Sequence, residues 1–235
     1  MVLAAGLGKR MRPASDTLPK PLLRVAGKPL IDYAFDHLAA AGVGQVVVNT
    51  HYLGELIAAH VEGYAERHGD MAIHLSPEKI LLETGGGVAR ALPHLGADPF
   101  FVLNSDTILI DGTAPALACL AAAWDEARMD ALLLLCPPER AVGHSRGGDF
   151  KLGADGRPLR AIGATDAHIF CGVQLLHPRL FRDALGGAYS LNRHYDEAAE
   201  AGRLFAVAHD GWWYHVGTPD ALAEAGDKLA QETTP

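Results

Sequence analysis

A chain of 235 residues that is 49% hydrophobic and 20% charged is long enough for one large α/β domain or two small ones, and too apolar to be disordered throughout. A formal net charge of −8 argues against a nucleic-acid surface, although a local basic loop in an acidic protein can still hold a small anion. Cys119, Cys136 and Cys171 lie far apart without a Cys-X-X-Cys pair for zinc or redox chemistry, the apolar start is too short for a signal peptide, and no run approaches a membrane span, so a cytoplasmic protein with buried thiols and no membrane partner is expected.

The first predicted strand, 2–4, begins at the first residue and is short for a central strand, which leaves open whether residues precede it. It runs into AAGLGKRMRPASDTLPKP (4–21), where Gly6 and Gly8 can take backbone angles closed to other residues and turn amides toward an anion, while Lys9, Arg10, Arg12 and Lys20 supply charge. A nucleoside triphosphate suits such a loop; the plain alternative is a glycine-rich βα turn with solvated basic side chains. The spacing excludes a P-loop, which needs Gly-Lys-Ser/Thr, and the dinucleotide fingerprint, which needs a third glycine where Met11 stands.

Beyond the loop, helices are predicted at 30–41, 53–64 and 87–95 and strands at 46–49, 72–75 and 100–103. Pro29 suits a first helical turn, Leu30, Ile31, Ala34, Phe35 and Leu38 share one face, and Gly42 supplies a stop. Uninterrupted apolar runs such as VVV at 46–48 and LLLL at 132–135 suit strands covered on both sides, so the fold expected is α/β, a doubly wound, mostly parallel sheet. Later, Asp155-Gly156 makes a turn between 150–152 and 159–162, and with the apolar segment 168–176 this reads as a small antiparallel insert. A helix at 191–201, a strand at 204–208 and a last helix opened by Thr218, Pro219 and Asp220 complete one domain over 1–230, followed by a polar tail, 231–235.

Residues that follow strands in an open α/β sheet converge on its ligand. Asn104-Ser105-Asp106 follows FFVL, and the Asp106 carboxylate is either a hard-oxygen ligand for Mg²⁺ bridging phosphates or an Asx-type turn cap. Glu83-Thr84-Gly85-Gly86-Gly87 opens a helix; its glycines let backbone approach a flat ligand, and Glu83 or Thr84 can bond a base edge, the alternative being a flexible helix entry. Trp212 and Trp213 suit stacking on a ligand or a core role equally, and His51, His60, His74 and His94 are given no chemistry.

Gly-X-Gly-X-Arg-X-X-Pro with Lys-Pro seven residues on resembles the signature of the nucleotide-sugar pyrophosphorylases, the sugar-1-phosphate nucleotidylyltransferases. The resemblance implies a Rossmann-like nucleotidyltransferase fold with a nucleotide-binding half at about 1–110 and a sugar-binding half at about 111–230. It assigns Arg10 and Lys20 to the phosphates during transfer and Asp106 to a catalytic magnesium, with Ser105 standing where the family has glycine. Leu3, Ala4, Ala5, Gly6, Gly8, Lys9, Glu83, Thr84, Gly85 and Gly86 then fall to the nucleotide; Asn104, Arg146, Gly148, Asp149, Cys171 and Gly172 fall to the sugar. WYHVGT (213–218) resembles the family's Trp-X-Asp-Val-Gly-Thr with His215 in place of the second metal-binding aspartate. Asp106 alone holds the metal with phosphates and water, or another carboxylate such as Asp210 substitutes, or His215 shifts the preference toward Mn²⁺ or another softer ion.

The pattern from GLGKRMRP and LPKPL through LETGGG, RGGDF and FCGV to WYHVGT looks most like the bacterial N-acetylmuramate-1-phosphate uridylyltransferases of peptidoglycan recycling. It implies UTP and a sugar-1-phosphate as partners and uridylyl transfer with release of pyrophosphate, with Arg146 facing the lactyl carboxylate. Mannose-1-phosphate guanylyl transfer, glucose-1-phosphate thymidylyl transfer and a catalytically silent nucleotide-sugar sensor are the alternatives; the oligomeric state stays open between monomer and dimer.

Overall fold

The run ALLLLC at Ala131–Cys136 is buried at every position, as a strand with helices on both sides must be. It lies within the central sheet of the computed structural model, which describes residues 1–69, 71–184 and 186–232. In chain order the elements are β1 (Val2–Leu3), β2 (Arg24–Val25), β3 (Lys28–Pro29), α1 (Leu30–Ala40), β4 (Gln45–Thr50), α2 (Gly54–Arg67), β5 (Ala72–Pro77), α3 (Glu83–Leu95), β6 (Phe100–Asn104) and β7 (Thr107–Ile110). There follow α4 (Ala116–Ala123), β8 (Ala131–Cys136), β9 (Ala141–Val142), β10 (Phe150–Leu152), β11 (Pro158–Arg160), β12 (Ile169–Leu176), α5 (Asn192–Glu200), β13 (Leu204–Ala208), β14 (Trp212–His215) and α6 (Pro219–Glu232).

Seven strands form the central sheet in the order β13-β8-β12-β6-β1-β4-β5. All its pairings are parallel except those of β12, which runs antiparallel to both β6 and β8. Alternation sorts the apolar runs into two cores: Val46, Val48, Leu132 and Leu134 pack with α1, α2 and α4, whereas Val47, Leu133 and Leu135 pack with α3 and α5. The sheet is therefore doubly wound, as expected.

The antiparallel insert is smaller than expected. β10 and β11 pair in it from Phe150↔Arg160 to Leu152↔Pro158 around the Asp155-Gly156 turn, with Gly156 at φ 79°, and His168 adds a single antiparallel bridge to Phe150. The segment 168–176 is antiparallel but supplies β12 to the central sheet, because a strand buried at nearly every residue cannot stand in an exposed hairpin. The last helix reaches Glu232, so 231–232 continue it instead of opening a tail; residues 233–235 lie outside the described residues.

Two strands that the sequence does not separate, β7 and β14, pair antiparallel in a small sheet of order β7-β14-β9. FFVLNSDTILI reads as one apolar run interrupted by a polar triplet, and that triplet is the turn by which the chain leaves the central sheet. A third core under this small sheet joins Ile108, Val142, Tyr214, Val216 and Leu229 to Met11 of the glycine loop. The small sheet thus unites the two predicted halves of the chain and anchors the loop between them. Among the described residues no helix is long and apolar enough to cross a membrane.

Candidate active site

β1 delivers the glycine loop. Val2 pairs with Val48 and Leu103, and Leu3 with Asn49 and Asn104, so the chain emerges from the middle of the parallel sheet at the carboxyl ends of three strands. Gly8 turns the loop with φ 60° and ψ 20°; a Cβ there would lie 3.2 Å from the Cβ atoms of Lys20 and Ser15. The Met11 amide and the Ser15 hydroxyl both donate to the Gly8 carbonyl at 2.8 Å, and buried Met11 pins the turn that carries Lys9 and Arg10. Gly6 does not use the left-handed freedom expected of it: its φ is not positive, and a Cβ there would meet nothing within 4 Å.

A cavity of about 580 Å³ opens on this loop, a volume suited to a small-molecule ligand. Leu3, Ala5, Gly6, Gly8, Lys9, Arg10, Lys20, Glu83, Thr84, Asn104 and Asp106 line it, which brings most of the predicted nucleotide and catalytic residues together. Ala4 lies behind the wall, its amide donating to Asn49 Oδ1 at 2.8 Å. Arg12 turns away into an ion pair with Asp16 at 3.1 Å, leaving the loop's charge to Lys9, Arg10 and Lys20.

Lys20 Nζ donates to Asp106 Oδ2 at 2.6 Å, with the lysine side chain 11% and the aspartate side chain 27% exposed. Burial pushes the Asp106 carboxyl up, but the Lys20 charge, reinforced by His215, the Lys20 hydrogen bond and Arg10, outweighs it and holds the group below the usual carboxylate range. Ser105, buried where glycine was expected, donates its hydroxyl to the Leu3 carbonyl at 2.7 Å and ties the Asp106 turn to the end of β1.

β14 brings His215 opposite Thr107, and the Val216 amide donates to the Asp106 carbonyl at 3.1 Å, so the WYHVGT segment lies against the Asp106 turn. The His215 ring stacks on Trp213 at 5.6 Å and meets His144 edge-on at 6.1 Å, while Gly217, not His215, lines the cavity. A Cβ on Gly217 would come within 2.5 Å of His215 Nε2, so a larger residue there would have to displace the ring. Burial lowers the imidazole below its ordinary value; Asp106 opposes the shift, and Lys20, Arg10 and His144 add to it. Neutral imidazole therefore faces Asp106 at neutral pH.

Asp210 does not substitute for the second carboxylate. It stands before β14, at the end away from His215, where its Oδ2 accepts from the Thr113 amide at 3.0 Å and hydroxyl at 2.6 Å. Among the described residues no group of three or more His, Cys, Asp or Glu side chains is arranged to hold a metal ion. A magnesium that draws most of its oxygen ligands from phosphates and water needs only one or two protein carboxylates, so Asp106, which faces the cavity, fits that role.

Behind the helix entry the glycines serve packing. The Gly85 and Gly86 amides donate to the Tyr189 carbonyl at 2.8 and 3.2 Å, and a Cβ on Gly86 would lie 2.2 Å from the Gly187 carbonyl oxygen. Neither glycine lines the cavity. Thr84 Oγ1 accepts from the Leu191 amide at 2.9 Å, which seats Ser190 in the cavity wall. Glu83 takes φ 58°, a left-handed angle that costs a non-glycine residue, where the chain passes the cavity.

Of the residues expected on the sugar side, only Asn104 lines the cavity. Gly172, at φ 71°, presses on it: a Cβ there would lie 2.4 Å from Asn104 Nδ2. Asp149 Oδ2 accepts from the Phe170 amide at 2.9 Å, and Gly148 packs where a Cβ would come within 2.1 Å of the Ala167 carbonyl oxygen. Cys171 is fully buried, its carbonyl accepting from Trp213 Nε1 at 3.0 Å and its thiol pushed well up by burial and the neighbouring Cys136. Arg146 is exposed and outside the lining. Asn49, Leu81 and Ser190, which the sequence did not single out, complete the wall. Asn49 ends a predicted strand and was within reach of the rule that found Asp106, whereas Ser190 arrives through a long-range contact that leaves no local signal.

A family model described as a MobA-like NTP transferase domain matches residues 1–210. The N-acetylmuramate alpha-1-phosphate uridylyltransferase of Caulobacter vibrioides is 41% identical over 98% of this chain and 96% of its own length. The protein of the same name from Neisseria meningitidis serogroup B is 37% identical over 96% of this chain and 95% of its own. Among solved structures, a UDP-glucose pyrophosphorylase complexed with UDP-glucose superposes with a TM-score of 0.81 over 98% of this chain and 97% of that one; at 18% identity this is a likeness of fold.

Proposed function

The chain belongs to the MobA-like NTP transferase family, and on that premise we propose that it transfers the uridylyl group of UTP to N-acetylmuramate 1-phosphate, releasing pyrophosphate, in the recycling of peptidoglycan. The choice of substrates is carried by the 41% identity that runs end to end with a relative bearing that name.

The anionic oxygen of the sugar phosphate attacks the α-phosphorus of the nucleotide in line and pyrophosphate leaves. The nucleophile is already ionised, so no general base is needed, and catalysis consists of placing two mutually repelling anions and stabilising the charge between them. Gly8 and the turn behind it aim the loop at the triphosphate. Arg10, exposed at the mouth, and Lys20, held against Asp106, supply positive charge on two sides. Asp106 would hold a magnesium ion arriving with the triphosphate, and that ion supplies further neutralisation of the phosphates. Lys20, which donates to Asp106 in the free protein, would then donate to a phosphate oxygen. Glu83 and Thr84, which also line the cavity, would bond the nucleoside.

Pyrophosphate release tests the assignment, with UTP, GTP and dTTP each offered against muramate-, glucosamine-, mannose- and glucose-1-phosphate in Mg²⁺ and in Mn²⁺. Turnover concentrated on UTP with N-acetylmuramate 1-phosphate is expected. Another productive pair would keep the chemistry and replace the substrates, and none at all would leave a binding protein without turnover.

A further inference from the structure

Between the phosphate loop and the helix entry runs a buried relay that contacts the cavity only through Asn49. The Ala4 amide donates to Asn49 Oδ1 at 2.8 Å, Asn49 Nδ2 donates to Glu78 Oε1 at 2.8 Å, and Glu78 Oε2 accepts from the Leu82 amide at 2.8 Å. Asn49 is 2% and Glu78 5% exposed, so water cannot repair a lost bond. The third glycine of the helix entry is shaped to this pair: a Cβ on Gly87 would lie 2.8 Å from Asn49 Nδ2 and 2.9 Å from Glu78 Oε1.

Both ends of the relay are backbone N–H groups, which can only donate. An amide in the middle passes one bond along, accepting on one side and donating on the other, so the remaining member must accept twice. The two donors meet different oxygens, Oε1 and Oε2, and a carboxylate offers two accepting oxygens where a carboxamide offers one. We propose that Glu78 is a positioning residue that holds residues 82–84 in register with the phosphate loop and thereby sets nucleotide affinity from behind the wall; the proposal rests on the reading of the cavity as a nucleotide site.

The parity of the relay supplies its own test. Glu78→Gln leaves two donors facing each other wherever Asn49 and the new amide turn, and Asn49→Asp leaves two acceptors facing each other, a contact that closes only by taking up a proton. The double variant Asn49→Asp/Glu78→Gln restores a complete chain: Ala4 N–H to the new aspartate, the new glutamine amide to its other oxygen, and Leu82 N–H to the glutamine oxygen. Each single variant is expected to lower the melting temperature by about 5 °C, with the double variant melting above either. Glu78→Gln should raise the KM for UTP about 10-fold while kcat and the KM for the sugar phosphate change by less than about 3-fold.

A double variant as unstable as the sum of the singles, or a Glu78→Gln variant whose kcat and both KM values move together, would overturn the proposal. If Glu78→Gln does not fold, amide exchange in the unaltered protein decides: slow exchange at Ala4 and Leu82 supports the relay, and exchange at free-loop rates at Leu82 refutes it. Titration calorimetry of UTP into the unaltered protein separates the two readings, since failure to bind removes the nucleotide site while the melting cycle still judges the relay.

Discussion

The two walls of the cavity are built differently. Apart from Ser190 and Gly217, its lining comes from the first 110 residues: the loop after β1, the carboxyl ends of β4 and β6, and the entry to α3. The second half contributes mainly support, with β8, β12 and β13 extending the sheet and β14 pressing WYHVGT against the Asp106 turn. Recognition of phosphate needs backbone and charge close together in sequence, so it condenses into a motif. On the other wall, short glycine-bearing motifs mark close packing, which looks the same in sequence as close approach to a ligand.

The largest test of this contrast lies in charge. Lys20→Ala should lower kcat on the order of 10²-fold or more, as for other electrostatic stabilisers, and it also leaves Asp106 without its partner. Lys20→Arg, which keeps charge but not shape, should recover only part of that loss in a pyrophosphate-release assay.

Next comes packing in the second half, behind the cavity. In Gly148→Ala the new methyl meets the Ala167 carbonyl oxygen at 2.1 Å, so the variant should lose about 1–3 kcal/mol of stability, as overpacked sites do. Chemical denaturation measures the loss, and the fraction still folded should turn over at the normal rate. Gly6→Ala is the counterpart in the cavity wall itself: its methyl meets nothing, so stability should hold and any effect should fall on the KM for the nucleotide.

His215 packs behind the Asp106 turn and gives effects of middle size. His215→Asp sets a second carboxylate beside Asp106, and the magnesium concentration for half-maximal rate should fall roughly 3- to 10-fold. The histidine also makes stability depend on pH. Burial holds its folded pKa below the ordinary 6.5, so between those values the unfolded chain binds more protons and stability falls as pH falls. Asp106 adds a term of the same sign at lower pH, since its depressed pKa favours the folded state above 3.8 and that contribution is lost on acidification. Melting temperatures of His215→Asn should therefore decline less steeply than those of the unaltered protein as the pH falls below 6.5.

Much of this was legible beforehand. Uninterrupted strands announced a doubly wound sheet because burial on both faces removes alternation, and the adjacent glycines and cations of the loop 4–21 marked the segment that lines the cavity. The strand β12 was harder to assign, since the direction of a strand does not say which sheet receives it. Gly85 and Gly86, read from their missing side chains, and Gly148 and Gly172, taken from the resemblance, all pack where a Cβ would meet protein atoms, because sequence records a missing side chain but not the atom that fills the space. Glu78 gave no signal at all: its partners are 4 and 29 residues away, and a buried acceptor is recognisable only when both donors are seen.

The smallest expected effect bears most directly on the sugar wall. Arg146 is exposed and stands outside the cavity, between Ser145 and a Gly147 turned to φ 73°, while the next residue is locked against Ala167. A guanidinium so placed is solvated, and an exposed cation contributes little to binding. Arg146→Ala is therefore expected to change the KM for N-acetylmuramate 1-phosphate by less than about 2-fold. A rise of 10-fold or more for that substrate, with none for the glucosamine analogue that lacks the lactyl carboxylate, would mean that residues 144–147 swing onto the sugar when it binds. Gly148, held at Ala167, would be the fixed end of that movement, and the poverty of the sugar wall would belong to the ligand-free protein alone.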